Sequence, residues 1–392
     1  MLSGVFAAAC GAQEGSDLVV SSDSALSAIV AELLPDLARR SGMELREPVR
    51  VEKRSREDLV RYLERKLDEE LSEDEARAIV DAYALLGLVP GDLDLREVLM
   101  SLYTEQVSGF YEPDSTALFV MNDQPEADVR GLLVHELVHA VQDQSEDLVA
   151  LTDPDRGSDR ATAAQAAIEG HATLVMFEYM AEEQMGSAVD LSQIPGFGPM
   201  LRENLQGIRT QFPVLASAPR IVQETLIFPY LEGAVFLQQL WSGGDRVVPF
   251  GDDLPTSTEQ ILVGPSADPP VELVLEIRGG ESVREDVLGR LELGVLLEEH
   301  AGAGAGSVAD GWEGDRYALV EGSDGQRVLV SHVLWEDEAA RDRFLNVIGA
   351  NLGALGAEAR VEPSEIDGRP ASILTVGETD GITVRVSSTE RR

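Results

Sequence analysis

Residues 135–139 read His-Glu-Leu-Val-His, and this run constrains the fold more than any other part of the chain. Leu132, Leu133, Val134, Leu137, Val138 and Val141 surround it, so a helix here is apolar on most sides. Such a helix belongs at the centre of a core. Two histidines four residues apart lie on one helix face, one turn from each other, and their imidazoles can converge on one metal ion. Glu136 lies about 100° round the axis from His135. That is too close for a good third ligand, but it can reach a water on the metal. Bound zinc lowers the pKa of its water from 15.7 toward roughly 7, and a neighbouring carboxylate can take the proton and later deliver it to a leaving group. The bland alternative is a pair of satisfied core histidines. The chain has only five histidines, and two of them fall in this pattern.

A hydrolytic zinc site needs a third protein ligand and one open position. The residues after His139 (AVQDQS) supply no third histidine. The segment Ala166-Ala167-Ile168-Glu169-Gly170-His171-Ala172 supplies two candidates, Glu169 and His171. They stand two apart, about 200° round a helix, so only one can face the first helix. Periodicity does not choose between them. Ala164, Ala167, Ile168, Leu174 and Val175 make the His171 side the more apolar one, and zinc accepts either donor. Ala161, Ala163, Ala164, Ala166, Ala167, Gly170 and Ala172 are small enough to let this helix approach the first closely.

The chain carries 71 acids against 31 bases over 392 residues, a net charge of −40, and its only lysines are Lys53 and Lys66. That sign repels phosphate backbones, which argues against a nucleic-acid partner, and it resists an anionic membrane surface. No run approaches 18 apolar residues, so no transmembrane helix is expected. One cysteine, Cys10, rules out an intrachain disulfide and a Cys-rich metal cluster. Small and apolar residues from Leu2 to Ala9 end at Cys10, and this resembles the end of a bacterial lipoprotein signal. The resemblance implies a lipidated Cys10, a tether from Gly11 to Asp17, and an extracytoplasmic protein anchored in the bacterial cell envelope.

Apolar periodicity predicts helices over 24–40, 55–71, 73–86, 95–105, 127–144, 160–183, 200–210 and 231–241. It predicts a strand at 48–53 and a hairpin over 108–121 with its turn at Glu112-Pro113-Asp114-Ser115. A polar, Pro- and Gly-containing stretch from Ser242 to Pro270 marks a boundary. Beyond it, strands at 271–277, 317–321, 327–335, 371–376 and 382–387 mix with helices at 283–299 and 336–352. The expected organisation is a signal remnant and tether (1–17), a mainly helical domain (18–267) and a C-terminal α+β domain (268–392).

HELVHAVQDQ followed by EGHAT resembles the gluzincin, thermolysin-like branch of HExxH zinc metallopeptidases. SGFYEP, FPYLEGAVF, TSTEQIL and GWEGDRYALV extend the similarity toward predicted bacterial metallopeptidase lipoproteins, over about residues 104–320. The resemblance implies a zincin-like metallopeptidase domain with a small β-hairpin or sheet beside the active-site helix. It implies Zn2+ held by His135, His139 and Glu169, Glu136 as catalytic base, and a peptide or protein substrate. The rival readings are a non-catalytic zinc-binding envelope lipoprotein, and an adhesion module working through its charge. Secondary candidates are Asp143, four residues after His139, as a partner for its second ring nitrogen, and Tyr111 or Tyr230 as donor to an oxyanion. His300 and His332 read as structural or surface residues, and Trp312 as packing against the C-terminal sheet.

Overall fold

The computed structural model describes residues 18–209, 212–355 and 358–389. Cys10 and the tether expected at 11–17 lie outside the described residues. The chain is a mixed α+β structure. Its first part runs β1 (Val19–Val20), α1 (Ser24–Ser41), β2 (Val49–Arg54), α2 (Arg56–Glu70), α3 (Glu73–Leu85), α4 (Leu95–Gln106), β3 (Gly109–Glu112), β4 (Ala117–Met121) and α5 (Glu126–Gln142). The local chemistry that starts these helices is visible in the sequence. Ser55 with Asp58, and Ser72 with Glu75, form reciprocal capping boxes on α2 and α3. Asp23 accepts from the amides of Ala25 and Leu26 at the start of α1.

The expected hairpin is half of a four-stranded sheet of order β1-β2-β4-β3. β1 and β2 pair in parallel, as do β2 and β4; β3 is the antiparallel edge. α5, the HELVH helix, packs against this sheet. Leu133, Val134, Leu137, Val138 and Val141 share one core with Leu33, Leu34 and Leu37 of α1 and Leu118 and Val120 of β4. Two long helices close the same core: α6 (Ser158–Met185), and α8 (Arg220–Leu240), which follows α7 (Phe197–Arg209). α8 begins at Arg220, well before the expected Leu231, and runs on through Pro229. Proline removes one helical hydrogen bond but does not forbid a helix whose faces are held by packing.

The C-terminal part holds β5 (Leu273–Arg278), β6 (Gly280–Asp286), α9 (Gly289–Ala301), β7 (Trp312–Gly322), β8 (Arg327–Trp335), α10 (Glu338–Leu355), β9 (Arg360–Ile366), β10 (Arg369–Val376) and β11 (Thr383–Ser388). Five strands form an antiparallel sheet of order β6-β7-β8-β10-β9, and β5 pairs with β11 in a separate ribbon. Residues 283–286, expected to open a helix, are instead the end of β6, paired with β7. β9 escaped the sequence reading because its residues are mostly polar and it lies at the sheet edge.

Packing crosses the boundary at 268. Val80, Ala82, Leu86 and Ile221 share a hydrophobic cluster with Leu293, Leu296, Trp335 and Phe344. His300 Nε2 donates to the carbonyl of Leu86 at 2.8 Å, so this histidine ties α9 to the turn after α3. Trp312 is buried inside β7, its indole N–H donating to Asp315.

Candidate metal centre

α5 and α6 bring His135, His139 and Glu169 together. His135 Nε2 and His139 Nε2 are 3.1 Å apart. Glu169 Oε2 lies 3.0 Å from the first and 3.2 Å from the second. The three side chains are 10–14% exposed. These residues could hold a metal ion, and among the described residues they are the one such group. The donor set passes a simple geometric test. A point equidistant from three atoms 3.0–3.2 Å apart lies about 1.8 Å from each, so an ion with bonds of about 2.0–2.1 Å fits roughly 1 Å off their plane. Two neutral imidazoles and one carboxylate are donors that a borderline cation accepts.

The electrostatics of the cluster agree with this. Burial opposes a charge on His139, but the adjacent Glu169 carboxylate outweighs it and pushes His139 up to about 9. Burial raises Glu169, while His139 and His135 more than reverse that and hold it far below the ordinary carboxylate range. A bound cation would take the place of that imidazolium charge beside Glu169.

Glu136 is not a member of the triad. Its Oε2 accepts the backbone N–H of Tyr111 at 2.8 Å, which ties α5 to the edge strand β3. Burial is the main cause that raises its pKa, with Glu169 adding and the two histidines and the Tyr111 amide opposing.

Two candidates part ways. Tyr111 turns its hydroxyl onto Asp143 Oδ2 at 2.7 Å, away from the triad. Asp143 is therefore spent on Tyr111, and the partner expected of it at His139 is another residue. Gln142, three residues after His139 on the same helix, accepts from His139 Nδ1 at 2.8 Å through its Oε1. A spacing of three puts two residues on one helix face as a spacing of four does, so the residue pattern carries this signal, although Asp143 alone is the expected partner. Tyr230, by contrast, is at the site. Its ring centroid lies 6.0 Å from that of His135. The charge of the nearby Glu169 carboxylate and then burial raise its pKa well above the usual phenol value.

His171 points away from the triad. Its Nε2 faces the carbonyl of Ser41 at 3.0 Å, and its ring packs edge-on against Trp241. Burial pushes its pKa down to about 4, which keeps it neutral. The small residues of α6 serve α8 as well as α5. Gly170 and Gly233 meet where α6 and α8 cross, so closely that a Cβ on Gly170 would lie 2.1 Å from the carbonyl carbon of Gly233. His332 is buried in β8, remote in sequence from the triad.

Residues 274–391 match the model of a domain of unknown function (DUF8575). No curated protein and no solved structure matches the chain. The matched segment contains none of His135, Glu136, His139 and Glu169, so the reading of the centre rests on its own geometry.

Proposed function

We propose that the chain is a zinc-dependent peptidase with a zincin-like, gluzincin-type centre, hydrolysing peptide bonds of a peptide or protein substrate at the bacterial cell envelope. One observation carries this reading: three donor atoms converge within 3.0–3.2 Å while a second acidic group, Glu136, lies beside them without joining them. A purely structural zinc site closes its coordination with four protein ligands, whereas a hydrolytic one uses three and leaves a position for substrate or water. Among the described residues the group has three members.

His135, His139 and Glu169 would hold the ion, which when bound supplies a Lewis acid that polarises a carbonyl and acidifies water. Glu136 accepts a proton from the attacking water and returns it to the leaving amine. Burial raises its carboxyl above the usual value, the direction that suits a group which must take up a proton and give it back. The Tyr111 N–H holds that carboxylate in place. Tyr230, beside His135 and Glu169, is the residue positioned to donate a hydrogen bond to a developing oxyanion. β3 ends its sheet on the side of Glu136, and a sheet edge can pair with an extended peptide. The envelope location belongs to the proposal through Cys10. Among the described residues no helix is long and apolar enough to cross a membrane.

The test is metal content together with turnover. Purified wild type should carry about one zinc per chain, His135→Ala none, and Glu136→Gln the full amount with no hydrolysis of a denatured-protein substrate that wild type cleaves. Zinc retained by His135→Ala would remove the centre. Wild-type turnover in Glu136→Gln would remove the mechanism but leave the centre.

A further inference from the structure

We propose that Gln142 is a positioning residue for the metal centre: backed by Ile168 and His171, it presents a fixed oxygen to His139 Nδ1 and so holds the His139 Nε2 lone pair toward the ion. The proposal rests on the reading of His135, His139 and Glu169 as a metal centre.

Hydrogen-bond direction fixes the orientation of the Gln142 amide. The carbonyl of Ser41 can only accept, so His171 Nε2, 3.0 Å away, carries a hydrogen. In the neutral ring the other nitrogen, Nδ1, is then an acceptor. It faces Gln142 Nε2 at 3.1 Å. The carbonyl of Ile168 also only accepts, and it too faces Gln142 Nε2 at 3.1 Å. Both amide hydrogens of Gln142 thus have partners. Turning the amide over would set its oxygen against two acceptors. Oε1 is therefore fixed on the side of His139 Nδ1, 2.8 Å away. An imidazole that donates from Nδ1 keeps a lone pair on Nε2, and Nε2 is the atom that faces His135 and Glu169.

Burial makes the arrangement firm. Gln142, His171 and Ser41 are all fully buried, so water does not offer an alternative partner. Ile168 adjoins Glu169 on α6, and Gln142 ends α5. The same amide therefore joins the helix that carries two ligands to the helix that carries the third. This also explains a histidine in the Glu-Gly-His segment that does not reach the metal. It supplies the acceptor that completes Gln142 and is itself anchored to α1 through Ser41.

The experiment measures zinc affinity by competition with a chelator, and records long-range 1H–15N spectra of the histidines in zinc-loaded protein. Gln142→Met fills a similar volume without an acceptor. Gln142→Glu keeps an oxygen facing His139 Nδ1 but loses both donors. Zinc affinity is expected to fall about 10–100-fold in Gln142→Met, with loss of the slowly exchanging His139 Nδ1–H signal. In Gln142→Glu that signal should persist and the affinity should stay within about threefold of wild type, even where thermal stability drops. Equal loss of affinity in both variants would assign Gln142 a packing role only and overturn the proposal. So would unchanged affinity in Gln142→Met. If wild type binds no zinc, or His135→Ala binds it as well as wild type, the centre itself fails, an outcome separate from either of these.

Discussion

Gly170→Ala should damage the metal centre without touching a ligand. A Cβ at this position would lie 2.1 Å from the carbonyl carbon of Gly233, 2.4 Å from its oxygen and 2.5 Å from its Cα. Ordinary contact begins at 3.4 Å, so α6 and α8 must separate by about 1.3 Å (3.4 minus 2.1). The obstacle is backbone, which cannot rotate away. Overpacking of a core typically costs about 1–3 kcal/mol, and a clash with backbone belongs at the upper end. Glu169 is the adjoining residue on α6, and its 3.0 and 3.2 Å separations from the two imidazoles are what an ion with bonds of about 2 Å must span. A shift of about 1.3 Å takes the carboxylate out of that range, so zinc affinity should fall at least on the order of 10–100-fold, as for losses of supporting contacts. Gly131→Ala is the control. It lies on α5 itself, and a Cβ there meets nothing within 4 Å. Alanine in a helix with room for it is stabilising by about 0.4–1 kcal/mol. Chelator competition and thermal unfolding of the two variants beside wild type make the comparison. If Gly170→Ala binds zinc and melts as Gly131→Ala does, the tight crossing does not place Glu169.

Glu169→Ala should lose zinc and hydrolysis together, while His171→Ala should keep measurable zinc at reduced stability; the reverse result, read by metal analysis, would make the centre a three-histidine site. Stability should fall as pH rises from 6 to 9, because burial pushes Asp159 up to about 7, Glu292 to about 8 and Asp315 to about 6. Each of these folded carboxyls keeps a proton that the unfolded chain has already lost. The stability they contribute is complete below about pH 4 and is lost as pH rises through 6–8. Glu292→Gln should flatten the dependence of melting temperature on pH, and a melting temperature that rises from pH 6 to 9 would contradict the sign. Cys10→Ser, expressed in a bacterial host from a gene with a complete signal, should move the protein from the membrane fraction to the soluble one; an unchanged distribution would remove the lipid anchor.

Local chemistry was legible in the sequence because it acts over one helical turn. The apolar spacing around HELVH, the capping boxes at Ser55 and Ser72, and the turn of the β3–β4 hairpin all depend on residues within four positions of one another. The two histidines of the centre and Glu136 were legible for the same reason, since one helix carries all three. What lies between elements was not. Local periodicity is silent on the parallel pairing of β2 with β4, the continuation of α8 through Pro229, and the strand at 280–286, which non-local packing decides. The choice between Glu169 and His171 belongs to the same class, for both satisfy the chemistry of a ligand and they differ only in the side of α6 on which they stand. The crossing of Gly170 on Gly233 sets the position of that helix, and the bonds from His171 to Ser41 and Gln142 turn the histidine into the core. Asp143 is the partner that sequence spacing offers His139, but β3 places the Tyr111 hydroxyl on Asp143, and Gln142 takes that role instead. Residue types and spacing limit which groups can meet; only the packing of one helix on another, and of each on the sheet, decides which of them do.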